Sequence, residues 1–295
     1  MTNLNETIER MNNRGTFLIG ASLVIALGIS VPTDAQTVLD GAYIKEHTKT
    51  QRVVPYPYIR EADVMWYRRI WREIDVTEKL NHPLYFPLEP INDRKSLFDV
   101  IKNGLLTDGS ITAYDPGVDG WSDEFKQPML TAQVKEKLSR TEMVYSDRLD
   151  GSGMDSSAQT IETKSENVKR YRLKEDWIFD KQRSSMDIRI IGLAPLKEKQ
   201  NDDGSLRGYE VLFWLYYPEL RYVLVNWEIF NRENDAERRS FDHLFWTRQF
   251  SSTIIKESNV YNRPLAEFKT GINGVLESEA IKQSLFEFEH DLWNF

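Results

Sequence analysis

The chain contains no cysteine, which removes disulfides, thiolate metal sites, cysteine nucleophiles and the acylated cysteine of a bacterial lipoprotein. Histidine is scarce. The four present, His47, His82, His243 and His290, show no helical metal-ligand spacing and no H-E-x-x-H pattern. There is no G-x-S-x-G, no Walker loop and no G-x-G-x-x-G. Past residue 35, no apolar run reaches the roughly 20 residues that a bilayer span requires. Basic charge is also in deficit: 38 Lys and Arg stand against 46 Asp and Glu, for a net charge of −8. A balance of that sign lacks the electrostatic footprint of a nucleic-acid or anionic-lipid binder.

One apolar run is present. Phe17 to Val31 carries no charge, Arg10 and Arg14 precede it, Pro32 ends it, and Ala35 supplies a small residue where a signal peptidase reads. The pattern predicts a secretory signal peptide over residues 1–35 and hence an exported protein without direct membrane insertion. Glu6 and Glu9 offset the two arginines, so Met11 is an alternative start that leaves Arg14 uncompensated. The eight tryptophans all follow this segment and argue for a folded chain.

After the signal, residues 36–60 are expected to form an extended N-terminal arm. Pro55 and Pro57 alternate with Tyr56 and Tyr58, and a residue before proline is pushed out of the helical region. Residues 61–295 are expected to form a single α+β domain, with helices flanking a central, mainly antiparallel sheet. Tyr67, Ile70, Trp71 and Ile74 follow an i, i+3, i+4, i+7 pattern, so a helix is predicted over Glu61–Ile74. A second is predicted over Arg94–Asn103, capped by Asn92 or Asp93 and left through Gly104, and a third over Thr131–Arg140. Asp115-Pro116-Gly117 and Asp119-Gly120 mark turns. The polar stretch Arg148–Glu166 is expected to be a mobile loop. Met186, Ile188 and Ile190 alternate as in a strand. Lys197–Ser205 is a polar connector with an Asp203-Gly204 hairpin turn. Tyr209–Tyr217 and Arg221–Asn226 are strand candidates. Phe241, Leu244 and Phe245 open a helix, and Ile281, Leu285, Phe288 and Leu292 form the stripe of the last one, with Ser278 as its cap.

Little in this pattern carries chemistry. Asp115, Asp119 and Asp123 fall at positions 1, 5 and 9 of a calcium-type loop, but Lys126 replaces the bidentate glutamate and would repel the ion. Acidic pairs are plentiful enough to keep a carbohydrate-binding or glycoside-hydrolysing protein as a second reading. No catalytic, metal or cofactor-binding residue is assigned. The candidates are protein-interface residues, in which Trp, Tyr and Arg concentrate binding energy: Tyr56, Tyr58, Arg60, Trp66, Arg68, Arg69, Trp71 and Arg72 near the N-terminus, and Trp214, Tyr217 and Trp227 in a second aromatic block.

Several segments taken together resemble one known family. They are DGAYIKEHT (Asp40–Thr48), VVPYPYIREADVMWYRRIWREID (Val53–Asp75), EKLNHPLYFP (Glu78–Pro87), RKSLFDVI (Arg94–Ile101), GSITAYDP (Gly109–Pro116) and YYPELRYVLVNWEIFN (Tyr216–Asn231). In this order they resemble the GldN/PorN family of the type IX secretion system, over essentially the whole chain after the signal. The resemblance implies a periplasmic protein without cofactor or catalytic residues. It implies a ring built with further copies of itself and with a GldK/PorK-type outer-membrane lipoprotein, and contact with the periplasmic domain of a GldM/PorM-type protein. It also implies a role in protein export by Bacteroidetes and in gliding.

Overall fold

The computed structural model describes residues 51–91, 94–147, 154–200, 205–231, 234 and 236–292, all within the unit His47–Phe295. The expected signal peptide, arm residues 36–50, the cap candidates Asn92 and Asp93, and the Asp203-Gly204 turn lie outside the described residues. In chain order the elements are β1 (Val64–Asp75), α1 (His82–Tyr85), α2 (Leu97–Leu106), β2 (Ala113–Tyr114), α3 (Thr131–Leu138), β3 (Ser139–Asp147), β4 (Met154–Glu162), β5 (Val168–Asp180), β6 (Ser185–Gln200), β7 (Leu206–Val211), β8 (Trp214–Tyr216), α4 (Tyr217–Leu224), β9 (Glu228–Ile229), β10 (Arg239–Ser240), α5 (Phe241–Trp246), β11 (Thr253–Glu257) and α6 (Ile272–Asp291). The main sheet has the order β11-β1-β5-β6-β8-β2, with β7 attached to β6, and all its pairings are antiparallel. This is the expected α+β class with helices beside a mainly antiparallel sheet.

The segment predicted as a first helix is instead strand β1, flanked by β5 and β11. Of the residues in that pattern, Tyr67 and Trp71 are four apart, as are Ile70 and Ile74, and a spacing of four fits a two-residue period as well as a helical one; in the strand the two pairs fall on opposite faces. What separates the two periods is the residue between Ile70 and Ile74. In the strand, Arg72 shares the face of Ile70 and Ile74 and is buried with them, whereas the helical reading turned it away from the apolar stripe. The sheet buries both faces of β1. Ile74 joins the large core beneath α2, α4 and α5. Ile70 packs with Ile254 of β11, Leu265, and Ile281 and Leu285 of α6. On the opposite face, Trp71 packs with Ala194, Leu196, Val211 and Trp214. Strands enclosed on two sides lose the simple alternation of an amphipathic sheet.

Other expectations are corrected for related reasons. Arg221–Asn226 belongs mostly to helix α4, not to a strand: Pro218 sits in its first turn, and Tyr217, Leu220, Arg221 and Leu224 are buried at helical spacing. The single strand expected over Tyr209–Tyr217 divides into β7 and β8: the Leu212 N–H still donates to the Pro195 carbonyl, but proline has no N–H to return the bond, and the register against β6 shifts by one residue before Leu215 meets Leu193. Lys197–Gln200, placed in a connector, continues β6, which pairs with β7 as a hairpin. The polar stretch 148–166 is not a loop throughout: Met154–Glu162 forms β4 against β3, and Ser165 is buried, bonded to Ser96 Oγ at 2.8 Å. Helix α2 starts with Ser96, whose Oγ accepts from the Asp99 N–H at 3.1 Å. Gly104 lies inside that helix rather than at its exit; a Cβ there would meet Ile111 Cδ1 at 2.4 Å. Ser278 sits within α6, where its Oγ accepts from the Ile254 N–H of β11 at 3.0 Å and satisfies a donor at the sheet edge. The stripes of α5 and α6 hold as expected.

Between the two apolar clusters of the helix-covered face lies a charged site. Glu175 of β5 is fully buried. It accepts from Arg248 Nη2 at 2.9 and 3.0 Å and from Trp177 Nε1 at 3.1 Å. The pKa of Arg72 nearby is held down by burial, and the charge of Glu175 opposes that shift. Arg248 adopts φ +53°, an uncommon left-handed conformation for a residue with a side chain. The connector after α5 is thus tied to the central strand by this guanidinium. Truncating one member of a buried ion pair strands the other's charge, which costs about 3–5 kcal/mol. Glu175→Ala is therefore expected to lower the unfolding free energy by that amount, read as a lower urea midpoint at an unchanged m-value; a loss under about 1 kcal/mol would place the site among weak surface pairs.

Candidate protein interface

The face of the sheet opposite the helices is rich in cations and rings, and a strap over residues 115–128 covers it. Trp71 Nε1 donates to Asp123 Oδ2 at 2.6 Å. Lys174 Nζ donates to the Asp123 carbonyl at 2.7 Å and lies 3.2 Å from its carboxylate. Arg172 stands 4.1 Å over the Trp121 ring, donates to the Gly120 carbonyl at 3.3 Å, and donates to Glu73 Oε1 at 2.8 Å. Lys256 of β11 faces the rings of Trp71 and Trp121 at 4.4 and 5.0 Å. Burial holds the pKa of both Lys174 and Lys256 below the usual lysine range. The two expected turns shape the strap, with Gly117 and Gly120 at φ +69° and +68°. Its carboxylates serve this architecture: Asp115 accepts from Lys137 at 2.9 Å, and Asp123 ties the strap to β1 and β5. Among the described residues no group of three or more His, Asp and Glu is placed to hold a metal ion.

The arm is fastened at Tyr56 and Pro57. Tyr56 stacks on Trp246 at 5.1 Å, and the Arg221 guanidinium lies 4.6 Å from the Tyr56 ring and 5.0 Å from that of Trp246. Arg221 makes a bidentate pair with Asp242 at 2.7 and 3.1 Å. Arg189 donates to the Pro57 carbonyl. Burial raises the Tyr56 pKa, with Arg221 opposing the shift. Two residues on, Tyr58 is 85% exposed.

The other sequence candidates fall in two groups. Trp71, Trp214 and Tyr217 are buried in the chain's own core, and Arg72 is buried beside Glu175. Trp66 stacks on Phe288 of α6 at 4.7 Å. Arg69 pairs with Asp176 at 2.7 and 3.0 Å. Nearer solvent are Tyr58, Arg60 (2.7 Å from Asp63), Arg68 (3.3 Å from Glu257) and Trp227, whose ring lies 4.6 Å from Lys95 Nζ. Sequence reasoning missed two surfaces. In one, Asn259 bonds the Glu257 and Arg263 carbonyls at 3.0 and 2.9 Å and holds out a tip on which Val260 is 97% and Tyr261 75% exposed. The other is the outer face of α6. An apolar pair between asparagines, and helix apolars out of phase with the core stripe, were the available signals.

Among the described residues, the carboxylates with displaced pKa are Glu124, Glu162 and Glu237, all lowered by bonds from Lys126, Lys102 and Arg239. A glycosidase acid would need the opposite shift. The family model described as gliding motility associated protein GldN matches residues 59–294. The chain belongs to the GldN family. That makes it a gliding-motility-associated, periplasmic component of the type IX secretion system, working with other Gld/Por proteins as part of its structure. No curated protein matches the chain.

Tyr67 provides a titration probe of this face. Its hydroxyl donates to Asp176 Oδ1 at 3.1 Å, and partial burial, followed by the charge of Asp176, pushes its pKa to about 12. A tyrosine raised in the folded state contributes stability that is full below its unfolded value of 10.0 and is lost as pH climbs toward about 12. Asp176→Asn is expected to bring the Tyr67 titration down toward that unfolded value by ultraviolet difference spectroscopy. An unmoved titration would mean that the carboxylate does not act on the phenol.

Proposed function

We propose that this GldN-family chain is a non-catalytic structural subunit of a periplasmic ring. A GldK/PorK-type lipoprotein holds it at the outer membrane, and it faces a GldM/PorM-type periplasmic domain. The observation that carries this reading is the family match, which runs from the end of the arm nearly to the end of the chain. The arm supports it. With prolines to stiffen it and Tyr56 to fasten it, the arm presents Tyr58 to solvent in a fixed place, so less entropy is lost when a partner orders it. The lipoprotein contact is the arm over residues 51–60, with Arg60 at its rim. The acids of the turns serve no reaction.

The test is Tyr58→Asp. The variant should fold and melt like the parent, because the side chain touches little of its own chain. It should bind the lipoprotein at least about tenfold more weakly, as truncating an aromatic anchor commonly costs about 2 kcal/mol. Unchanged co-purification would move the contact elsewhere. Asp119→Asn should leave secretion intact; a folded, assembled variant that no longer secretes would favour an enzyme.

A further inference from the structure

Helix α6 carries two heptad-spaced stripes. Gly274, Ser278, Ile281, Leu285 and Phe288 turn inward, against β11, Leu265 and Trp66. Ile272, Leu276, Glu279, Gln283 and Phe286 repeat the same steps of four and three, displaced by two residues, about 200° around the helix. This outer stripe is exposed throughout, with Ile272 79%, Leu276 61% and Phe286 63% accessible. Three of its five positions, Ile272, Leu276 and Phe286, are apolar, with Glu279 and Gln283 between them; heptad-spaced apolar residues form the seam that a second helix fills, and this seam has no helix on it among the described residues.

The charge on the helix describes what fits. Glu277, Glu279, Glu287, Glu289 and Asp291 stand against Lys282 alone. Glu279 lies within the seam, and Glu287 beside Phe286. A second α6 would bring like charges together, and an anionic membrane surface would be repelled, since interfacial helices carry Lys and Arg. We propose that the outer face of α6 docks a basic amphipathic helix from another protein. The helix's apolar heptad residues meet Ile272, Leu276 and Phe286, and its lysines or arginines meet Glu279 and Glu287. This names a class of partner for the assembly subunit proposed above and rests on that reading.

The experiment uses the purified full chain and two labelled synthetic helices. Both carry Leu at a and d; one is flanked by Lys at e and g and the other by Glu. Fluorescence anisotropy should show the Lys peptide binding at least about tenfold more tightly than the Glu peptide, and more weakly as salt rises. Leu276→Asp or Phe286→Asp should weaken it by at least about tenfold, with circular dichroism unchanged, because both positions are exposed. The double variant Glu279→Lys, Glu287→Lys should invert the preference between the peptides. Absent binding, equal binding of the two peptides, or binding indifferent to these variants would overturn the proposal. So would Leu276-dependent attachment to phosphatidylglycerol vesicles, or a changed oligomeric state of Leu276→Asp, which would assign the face to lipid or to a second copy. Lipoprotein co-purification, measured on the same proteins, reports the arm contact separately, so failure of one leaves the other readable.

Discussion

Strand β5 runs between β1 and β6 with its charges enclosed, and each of those charges must be answered where it stands. Glu175 is met by Arg248, Asp176 by Arg69, Arg172 by Glu73, and Lys174 by Asp123. The cost of taking such groups out of water is several kcal/mol per ion, and only a close partner offsets it. The partners come from three distant places: the connector after α5, strand β1, and the strap over 115–128. The same pairs that make β5 tolerable therefore fasten those segments to the sheet.

That arrangement explains what happens to the aromatic and arginine-rich segment around Trp66–Arg72. Its composition is that of an interface, and its partners are indeed aromatic and charged, but they belong to the same chain. Trp71 bonds Asp123, Arg69 bonds Asp176, and Arg72 lies by Glu175. Arg221, beside the stacked rings of Tyr56 and Trp246, fastens the arm in the same way. Outward surfaces away from that segment include Tyr58 on the arm, the Val260–Tyr261 tip, and the acidic outer face of α6.

The sequence conveyed the α+β class, the helices α2, α3, α5 and α6, and the β6–β7 hairpin, because in each one period dominates and polar residues bound it. It misled at β1 because steps of four serve both periods and because buried arginines look like a solvent face until their acids, about a hundred residues away, are in place. Ser278 has the residue type and position of a helix cap, but its partner is an edge N–H of β11, a tertiary contact that local pattern cannot carry. The family resemblance was legible because it rests on segments strung along the chain, not on pairings between them. The interface candidates named from composition were sorted into core and surface only by the fold.

The central claim is that β1 and β5 are scaffold and that assembly uses the arm and α6. Hydrogen–deuterium exchange of the native protein, free and then within the secretion complex isolated from membranes, measures this directly. The account predicts new protection over residues 51–60 and the outer face of α6, with β1 and β5 equally protected in both states. New protection confined to Trp66–Arg72 and the strap, with the arm and α6 exchanging as in the free protein, would contradict it.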